Sequence, residues 1–506
     1  MKKLLLLFIG VIAMPSLYAQ DLTDAVRYSL DDIKGTARYR AMSGAFGALG
    51  GDMSAVSANP AGSAIFNRSH ASISLSNYNP ENTTSYFGTV NTNSNSNIEL
   101  NQGGAAFVFN NTNPNSVWRK FVLSINYDQT GNYDDDFFAS GVNTNSIDSY
   151  FLANAQGLRL DQISRFQGES YSDAYGDIGA TFGYQHQQAF LGFESFILEP
   201  DDIDDDANTV YFSNIAPGTF NQEYSYVSTG FNGKFTVNAA IQHNDNLYFG
   251  VNLNSHFINF DRSTYLFEGN SNPGSIITEV GFENNLSVIG SGFSFQVGGI
   301  AKLGEAVRLG LTYDSPIWYT INEETTQYIG TVRDVGGSNE LLEIAPNVVN
   351  IFPEYRLQTP SKLTGSLALV LDKRGIISFD YSRKDFSNAE FRPQSDPLYI
   401  DLNNTINSVL KSTNSYRIGG EYRVNEISIR AGYRMEESPY VNDDFFGDLT
   451  GYSIGLGYNF GSARLDFAYE NSERTIGYQL YNVGLTDAAS IDVKNSDFTL
   501  SLNFTL

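Results

Sequence analysis

The sequence contains no cysteine, and only 17% of its 506 residues are charged. Disulfides, a lipid-modified N-terminus and thiolate metal sites are therefore excluded. The four histidines stand beside no recognisable serine or acid motif and form no H-x-H or HExxH pair; they are His70, His186, His243 and His256. We therefore predict no catalytic residue, no metal site and no cofactor, and expect that the protein is not an enzyme.

The sequence also lacks any basic stripe. Its formal net charge is −25, so we expect no nucleic acid partner, because nothing is available to neutralise phosphates. The acidic residues cluster at positions 134–136 and 201–206, between apolar segments. Solvated loops explain these clusters more simply than a calcium or lipid-bridging site does.

Long apolar runs are missing beyond the N-terminus. Residues 1–19 carry Lys2 and Lys3, an apolar run over 4–13 and a small residue, Ala19, which predicts a cleaved signal peptide. No later run approaches the roughly 20 apolar residues that a membrane-crossing helix needs. The chain is therefore predicted to be exported and to have no helical anchor.

What the sequence does have is repeated alternation of apolar and polar residues. Aromatic residues make up 14% of the chain. In the segment 426–435, Ile427, Ile429 and Tyr433 share one face, whereas Arg430 and Arg434 share the other. The segment 416–424 alternates in the same way and is separated from 426–435 by a very short link, which predicts a hairpin with a tight periplasmic turn.

Sixteen such segments can be counted along the chain. They lie at 71–78, 103–109, 119–127, 175–185, 188–197, 232–242, 246–260, 287–301, 305–320, 361–371, 375–386, 416–424, 426–435, 451–460, 463–470 and 496–506. Tyr and Phe near the segment ends and charges on the opposite faces favour an all-β transmembrane antiparallel β-barrel of the outer membrane over a soluble β-sandwich. The polar stretches 81–100, 262–284, 322–358 and 436–450 are then predicted to be external loops.

The region before the first strand does not alternate. We predict three parts: the signal peptide 1–19, an N-terminal plug or hatch over residues 20–69, and the barrel over residues 70–506. The glycine-rich run that includes Gly50 and Gly51 allows a compact backbone. Because a barrel of this size would otherwise enclose an aqueous channel, we expect the segment to fold inside the lumen; a flexible periplasmic tail is the alternative.

Part of this region resembles a known family. The stretch ARYRAMSGAFGALGGDMSAVSANPAG, which ends close after Asn59, Pro60 and Ala61, looks like the hatch of the FadL long-chain fatty acid transporter family. Three later stretches, at 307–317, from 357 onward and at 416–440, are similar to the same family. The resemblance implies a barrel of fourteen strands instead of sixteen. It also implies import of long-chain fatty acids or other hydrophobic compounds, by capture in an apolar pocket and lateral exit through the wall beside the hatch.

The resemblance also implies roles for particular residues. The hatch and gating candidates are Asn59, Pro60, Ala61, Gly50 and Gly51, although a turn between hatch and first strand explains Asn59 and Pro60 as well. The apolar pocket candidates are Phe46, Leu49, Met53, Ile65 and Phe66, for which packing of the hatch is the alternative. The candidates for binding a carboxylate head group are Arg308, Arg417, Arg430 and Arg434, which face the lumen by parity and have lumenal Asp or Glu partners as their alternative.

Two other functions remain open at this stage. A general diffusion porin for small polar solutes needs only the barrel and a charged lumen, and a structural or adhesive barrel would transport nothing. The expected partners are a hydrophobic small-molecule ligand, outer membrane lipid with lipopolysaccharide, and the barrel assembly machinery. We expect the protein to be a monomer.

Overall fold

A computed structural model describes residues 22–372 and 374–506; the predicted signal peptide lies outside them. The chain forms a closed antiparallel barrel of fourteen strands, as the family resemblance implies. In chain order these are β1 (His70–Tyr78), β2 (Asn97–Asn110), β3 (Trp118–Asn132), β4 (Phe220–His243), β5 (Leu247–Gly269), β6 (Ile277–Leu303), β7 (Val307–Asp314), β8 (Lys362–Leu371), β9 (Gly375–Asp385), β10 (Ser412–Val424), β11 (Ile427–Glu436), β12 (Leu449–Asn459), β13 (Ala463–Gln479) and β14 (Ala488–Thr505).

Consecutive strands pair with each other, and β1 pairs with β14, from His70↔Thr505 to Asn77↔Phe498, so the strands close into a ring. The predicted alternation is confirmed. Ile429 and Tyr433 are 53% and 49% exposed on the outer face, whereas Arg430 is 2% exposed on the inner face. None of the helices in the described part of the chain is long and apolar enough to cross a membrane.

Two of the sixteen predicted strands are wrong, and their loss accounts for the difference from fourteen. Residues 175–185 and 188–197 fall mainly in two helices, α5 (Tyr171–Phe182) and α6 (Tyr184–Glu194). Ser170 caps the first by accepting a hydrogen bond from the Asp173 backbone N–H. The buried residues Ala174, Tyr175 and Ile178 follow helical spacing. The glycines and aromatic residues scattered through this segment gave a pattern that resembled strand alternation.

The predicted external loops are largely ordered strand instead. The strands β5 and β6 contain 23 and 27 residues, far more than the roughly 10 that cross a bilayer. Further strands extend the wall outward: Pro80–Tyr86, Thr89–Ser94, Asp135–Asn143, Trp318–Val335, Ser338–Ile344, Asn350–Ile351, Tyr355–Gln358 and Glu390–Arg392. The barrel therefore projects beyond the membrane as a sheet whose inner face remains packed.

A small cap closes this projection. It comprises α4 (Asp148–Ala155), α5, α6, a 3₁₀ helix at Leu160–Gln162, and the paired strands Leu198–Pro200 and Tyr211–Ser213. Phe151, Phe190 and Leu191 are fully buried and pack with Phe282 of β6 and Ile329 of the neighbouring strand. This apolar cluster fixes the cap to the inner face of the extended wall.

The hatch, residues 22–66, lies inside the lumen. Its elements are α1 (Leu22–Arg27), α2 (Ala37–Arg40), α3 (Ala55–Ala58) and a 3₁₀ helix at Pro60–Ile65. Its backbone bonds directly to the wall, as where the Ala37 N–H donates to Ser501 Oγ at 2.6 Å. A last helix, α7 (Pro397–Val409), follows a 3₁₀ turn at Phe386–Asn388 and packs against α1.

Candidate functional site

The lower part of the hatch is held by buried ion pairs. Arg38 of α2 donates from Nε to Glu421 of β10 at 2.8 Å, and Arg430 of β11 donates to the same carboxylate at 2.6 Å. Arg430 also pairs with Asp466 of β13 at 2.8 Å. The side chains of Arg430 and Asp466 are both buried, so each charge offsets the cost of removing the other from water.

A second cluster surrounds Arg40. Its guanidinium pairs with Asp497 at 2.6 Å and with Glu470 at 3.0 Å. Glu470 also binds Arg434 at 2.8 Å, and Arg417 binds Glu436 at 3.1 Å. Three of the four predicted carboxylate-binding arginines, Arg417, Arg430 and Arg434, are thus engaged by acidic side chains of the barrel, as the alternative interpretation expected.

Arg308, the fourth of these candidates, lies near the start of β7. Its Nη1 donates to the backbone oxygen of Leu49 at 2.9 Å. Among the residues that the structure describes, it has no ion pair. It contacts the underside of the hatch and does not line the main cavity described below.

Asn59, Pro60 and Ala61 form the start of the 3₁₀ helix. Asn59 caps it by accepting the Ala61 N–H at 3.1 Å. The Asn59 amide donates to the backbone oxygens of Gly47 at 2.7 Å and of Gly299 in β6 at 3.1 Å. These residues therefore join two parts of the hatch to the wall, and a local cap explains their sequence as well as a gate does.

The predicted hatch glycines occupy backbone positions that favour glycine. Gly50 and Gly51 have φ values of +62° and +67°. A Cβ at Gly50 would lie 2.7 Å from the oxygen of Gly62 and 2.6 Å from the Ile65 side chain. Their compact backbone brings the middle of the hatch against its 3₁₀ helix.

The predicted apolar pocket residues are packed instead of lining an open space. Phe46 and Leu49 belong to a buried cluster with Tyr39 and Met42. The other three, Met53, Ile65 and Phe66, pack against wall residues of β2 to β6. None of the five lines the large cavity, so hatch packing explains them.

The large cavity lies above the hatch, between α1 and the cap. Its volume is about 450 Å³, and ten aromatic side chains contribute to its lining. Tyr150 comes from the cap, Tyr224 from β4 and Tyr478 from β13, while Val26 and Leu30 of the hatch form part of its floor. The hydroxyls of Tyr224 and Tyr478 lie 3.2 Å apart. The volume is that of a small-molecule site.

The wall beside the hatch contains a break. The strands β2 and β3 pair from Asn110↔Lys120 to Gln102↔Asp128 and no further. Within the described chain, residues 97–101 of β2 have no backbone partner in residues 129–132 of β3; we call this stretch the seam. Ile98 and Leu100 are 80% and 46% exposed on its outer side, so the seam faces lipid.

A short piece of the hatch, residues 32–35, fills the seam from inside; we call it the strap. The Asp32 N–H donates to the Thr130 oxygen of β3 at 3.2 Å. Gly35 exchanges two hydrogen bonds with the Asn101 side chain of β2, both at 2.8 Å. Lys34 binds Glu99 at 3.0 Å. Burial opposes the charge of Lys34, but the carboxylates of Glu99, Asp497 and Asp32 together outweigh burial and raise the pKa of Lys34 above its usual value.

Glu99 is the polar link across the seam. Besides Lys34, its carboxylate accepts hydrogen bonds from Gln129 and Asn132 of β3, both at 2.6 Å. Side chains thus replace the missing backbone ladder. Such side-chain contacts can open without unfolding a strand.

A smaller cavity leads from the large one toward the seam. It has a volume of about 150 Å³ and shares Arg27, Asp135, Tyr226 and Val493 with the large cavity. Its other lining residues include Tyr78 and Asn132, at the upper ends of β1 and β3. The smaller cavity therefore adjoins the large one and, through Asn132, the β3 side of the seam.

Comparison with known proteins identifies the family. The sequence model described as outer membrane protein transport protein (OMPP1/FadL/TodX) matches residues 212–504. The chain belongs to this family. No curated protein sequence matches it.

Solved structures of the OMPP1/FadL/TodX family share the fold. A Pseudomonas aeruginosa FadL homologue is 13% identical, with 94% of this chain and 99% of that chain covered and a TM-score of 0.55. The Pseudomonas putida toluene transporter TodX is 12% identical, with 94% and 100% covered and a TM-score of 0.52. The family is one of the outer membrane, which agrees with the predicted location.

Two features of this OMPP1/FadL/TodX protein were missed by sequence reasoning. Arg262 of β5 lines the large cavity, and its place in an alternating run with Phe260 and Thr264 could have revealed its inward direction. The seam was not located either, because it depends on where the ladder between β2 and β3 stops. Residues 97–101 are polar apart from the outward-facing Ile98 and Leu100, and this pattern gives only a weak signal of the break in the ladder.

Proposed function

We propose that the protein imports hydrophobic compounds, long-chain fatty acids among them, across the outer membrane. The compound is captured in the large cavity and leaves sideways through the seam. The observation that carries this proposal is the adjacency of the large cavity, the smaller cavity and a lipid-facing break in the wall, with the hatch strap lying across that break.

Capture follows from the lining of the cavity. A saturated chain gains about 0.8 kcal/mol for each methylene removed from water, and the aromatic walls offer broad apolar contacts. Exit through the seam would deliver the compound to the lipid beside Ile98 and Leu100, without a crossing of bulk water. The path therefore favours greasy compounds over polar ones.

The hatch connects capture to release. Val26 and Leu30 line the cavity, and the strap begins two residues after Leu30. Next to it, Asp31 accepts hydrogen bonds from Lys362 at 2.9 Å and Lys384 at 3.3 Å. A ligand that pushes on α1 would strain this short connection and loosen the strap from the seam.

The hatch also weighs against a general porin. It fills the lumen between α2 and the 3₁₀ helix, and buried ion pairs hold it there. Removal of residues 21–69 would leave an aqueous channel instead of a route for greasy compounds.

The proposal is tested by uptake of radiolabelled palmitate into cells that lack their own importer. Changing Asn59 and Pro60 to Ala, or deleting residues 21–69, is expected to abolish uptake, because Asn59 ties the hatch to Gly299. Asn67→Ala is the matched control, since Asn67 is exposed just after the hatch and its loss should leave uptake unchanged.

Undiminished uptake by the Asn59/Pro60 double variant would contradict the proposal. Conductance of the purified protein in planar bilayers separates it from a porin. We expect no steady conductance with the hatch present and a steady current after its deletion; a steady current through the intact protein would favour the porin.

A further inference from the structure

We propose that the outer wall carries a binding site for the phosphate group of a lipid in the outer leaflet of the membrane. The site consists of Arg356, Arg383 and Arg392, which are exposed on the outward faces of their strands; we call it the arginine patch. It lies outside the lumen, so this inference goes beyond the proposed function and does not depend on it.

The arginine patch lies at the upper border of the apolar band. At the start of the outward-extending strand Trp318–Val335, Trp318 is 42% exposed on the outer face and lies opposite Phe293 of β6, which is 49% exposed. The next outward row consists of Ser291, Thr320, Arg356 and Arg392. Aromatic residues of membrane barrels mark the border between hydrocarbon and head groups. The first polar row above Trp318 therefore lies at head-group level.

Two of the three charges face each other directly. Arg356 lies opposite Arg392 in an antiparallel pair of strands, and both side chains point outward. Like charges at opposite positions on one face of a sheet are destabilising. Arg392 pairs with Glu390 at 2.8 Å, whereas Arg356 has no ion pair within the described part of the chain. The pair therefore keeps an excess of positive charge.

Hydrogen bonds hold Arg392 beside the aromatic border. Gln358 Oε1 accepts hydrogen bonds from Trp318 Nε1 at 3.2 Å and from Arg392 Nη2 at 3.1 Å. The same Nη2 donates to Glu390 at 2.8 Å. Nη2 thus uses both of its hydrogens, while Nε and Nη1 of Arg392 donate to no acceptor among the described residues. An oriented guanidinium with free donors favours a further anion.

Arg383 of β9 adds a third charge slightly lower on the wall. It lies opposite Leu363 of β8 and Asn414 of β10, and among the described residues it forms no ion pair. Leu363 is 52% exposed and faces lipid. At such a height an arginine keeps its aliphatic stem against the apolar surface and turns its guanidinium toward the head groups.

The charge of the arginine patch selects its ligand. The whole chain has a formal net charge of −25, yet this part of the outer wall presents three guanidinium groups. A phosphate can accept two parallel hydrogen bonds from a guanidinium, and the membrane surface offers anionic lipids at this height. The ligand class is therefore a lipid with an exposed phosphate, to which the phosphorylated glycolipid lipid A belongs.

The test compares lipid A with the same lipid after removal of its phosphates. Binding of each to the mature protein, released from detergent micelles, is measured by native mass spectrometry. We expect lipid A to bind at least tenfold more tightly than its dephosphorylated form. In Arg356→Gln with Arg392→Gln this preference should disappear; changing the same two residues to Lys should restore part of it, because lysine keeps the charge without the planar fork.

Arg68→Gln with Arg374→Gln is the matched control, since both arginines are exposed but lie at the periplasmic end of the barrel. This variant should keep the full preference for lipid A. Equal binding of the two lipids to the unaltered protein would overturn the site, and so would an equal loss of preference in the control variant. Inorganic phosphate that displaced lipid A at equal concentration would assign the arginine patch to a free anion and overturn the lipid site.

Discussion

The lower and upper parts of the lumen are built from the same strands but in opposite ways. At hatch level, arginines of hatch and wall, such as Arg40 and Arg430, are matched with buried carboxylates and small residues close the remaining space. Above α1, the wall encloses about 450 Å³, and no carboxylate of the described residues lies within salt-bridge distance of Arg262. Where the lumenal charges are already paired, they have no affinity left for a charged ligand. An unpaired charge beside open space retains that affinity.

The largest effect is expected from locking the boundary between these two parts. Because the sequence has no cysteine, Asp32→Cys with Thr130→Cys would place one new pair between the strap and β3, where the Asp32 N–H and Thr130 oxygen lie 3.2 Å apart. Backbones this close allow a disulfide. Oxidation should stop palmitate uptake, and a reductant should restore it.

A second pair provides the control. Ser43 and Ser453 have hydroxyl oxygens 2.8 Å apart, so Ser43→Cys with Ser453→Cys ties the lower hatch to β12 away from the seam. We expect uptake to survive this lock. Equal loss with both locks would mean that the whole hatch moves and not the strap alone.

Burial, more than distance, should decide how much each ion pair stabilises the barrel. Arg40 lies 2.6 Å from Asp497, with both side chains under 10% exposed, whereas Lys411 lies 2.6 Å from Asp443 with 34% and 60% exposed. Arg40→Met leaves buried carboxylates uncompensated and is expected to cost about 3–5 kcal/mol. Lys411→Met is expected to cost about 0–1 kcal/mol.

Urea unfolding in detergent, followed by circular dichroism, measures both variants against the unaltered protein. Similar losses for Arg40→Met and Lys411→Met would show that the hatch-level cluster is solvated and would remove the physical basis for the contrast between the two parts of the lumen.

The sequence predicted most of the wall because period-two alternation is a local property. Ile427 to Met435, for example, alternate in the structure as in the sequence. Local pattern failed in two places. Residues 175–197 alternate loosely but fold as helices, because the closed cap buries them on helical faces against β6. The inward arginines could be identified by parity, but whether a carboxylate lies beside one of them, as Asp466 lies beside Arg430, depends on neighbouring strands far along the chain.

A pair of matched substitutions distinguishes open from filled space directly. Ile476 of β13 lines the cavity, whereas Ile376 of β9 packs against the hatch, so Ile→Trp adds the same volume to both. Ile476→Trp should occupy ligand space and weaken dodecanoate binding about tenfold, which corresponds to about 1.4 kcal/mol, with little change in unfolding free energy. Ile376→Trp should instead overpack a filled region, costing about 1–3 kcal/mol of stability with binding unchanged.

Calorimetry and urea unfolding on both variants measure the two effects. If Ile376→Trp also weakened binding, the ligand would reach hatch level, and the lower lumen would belong to the capture site as well.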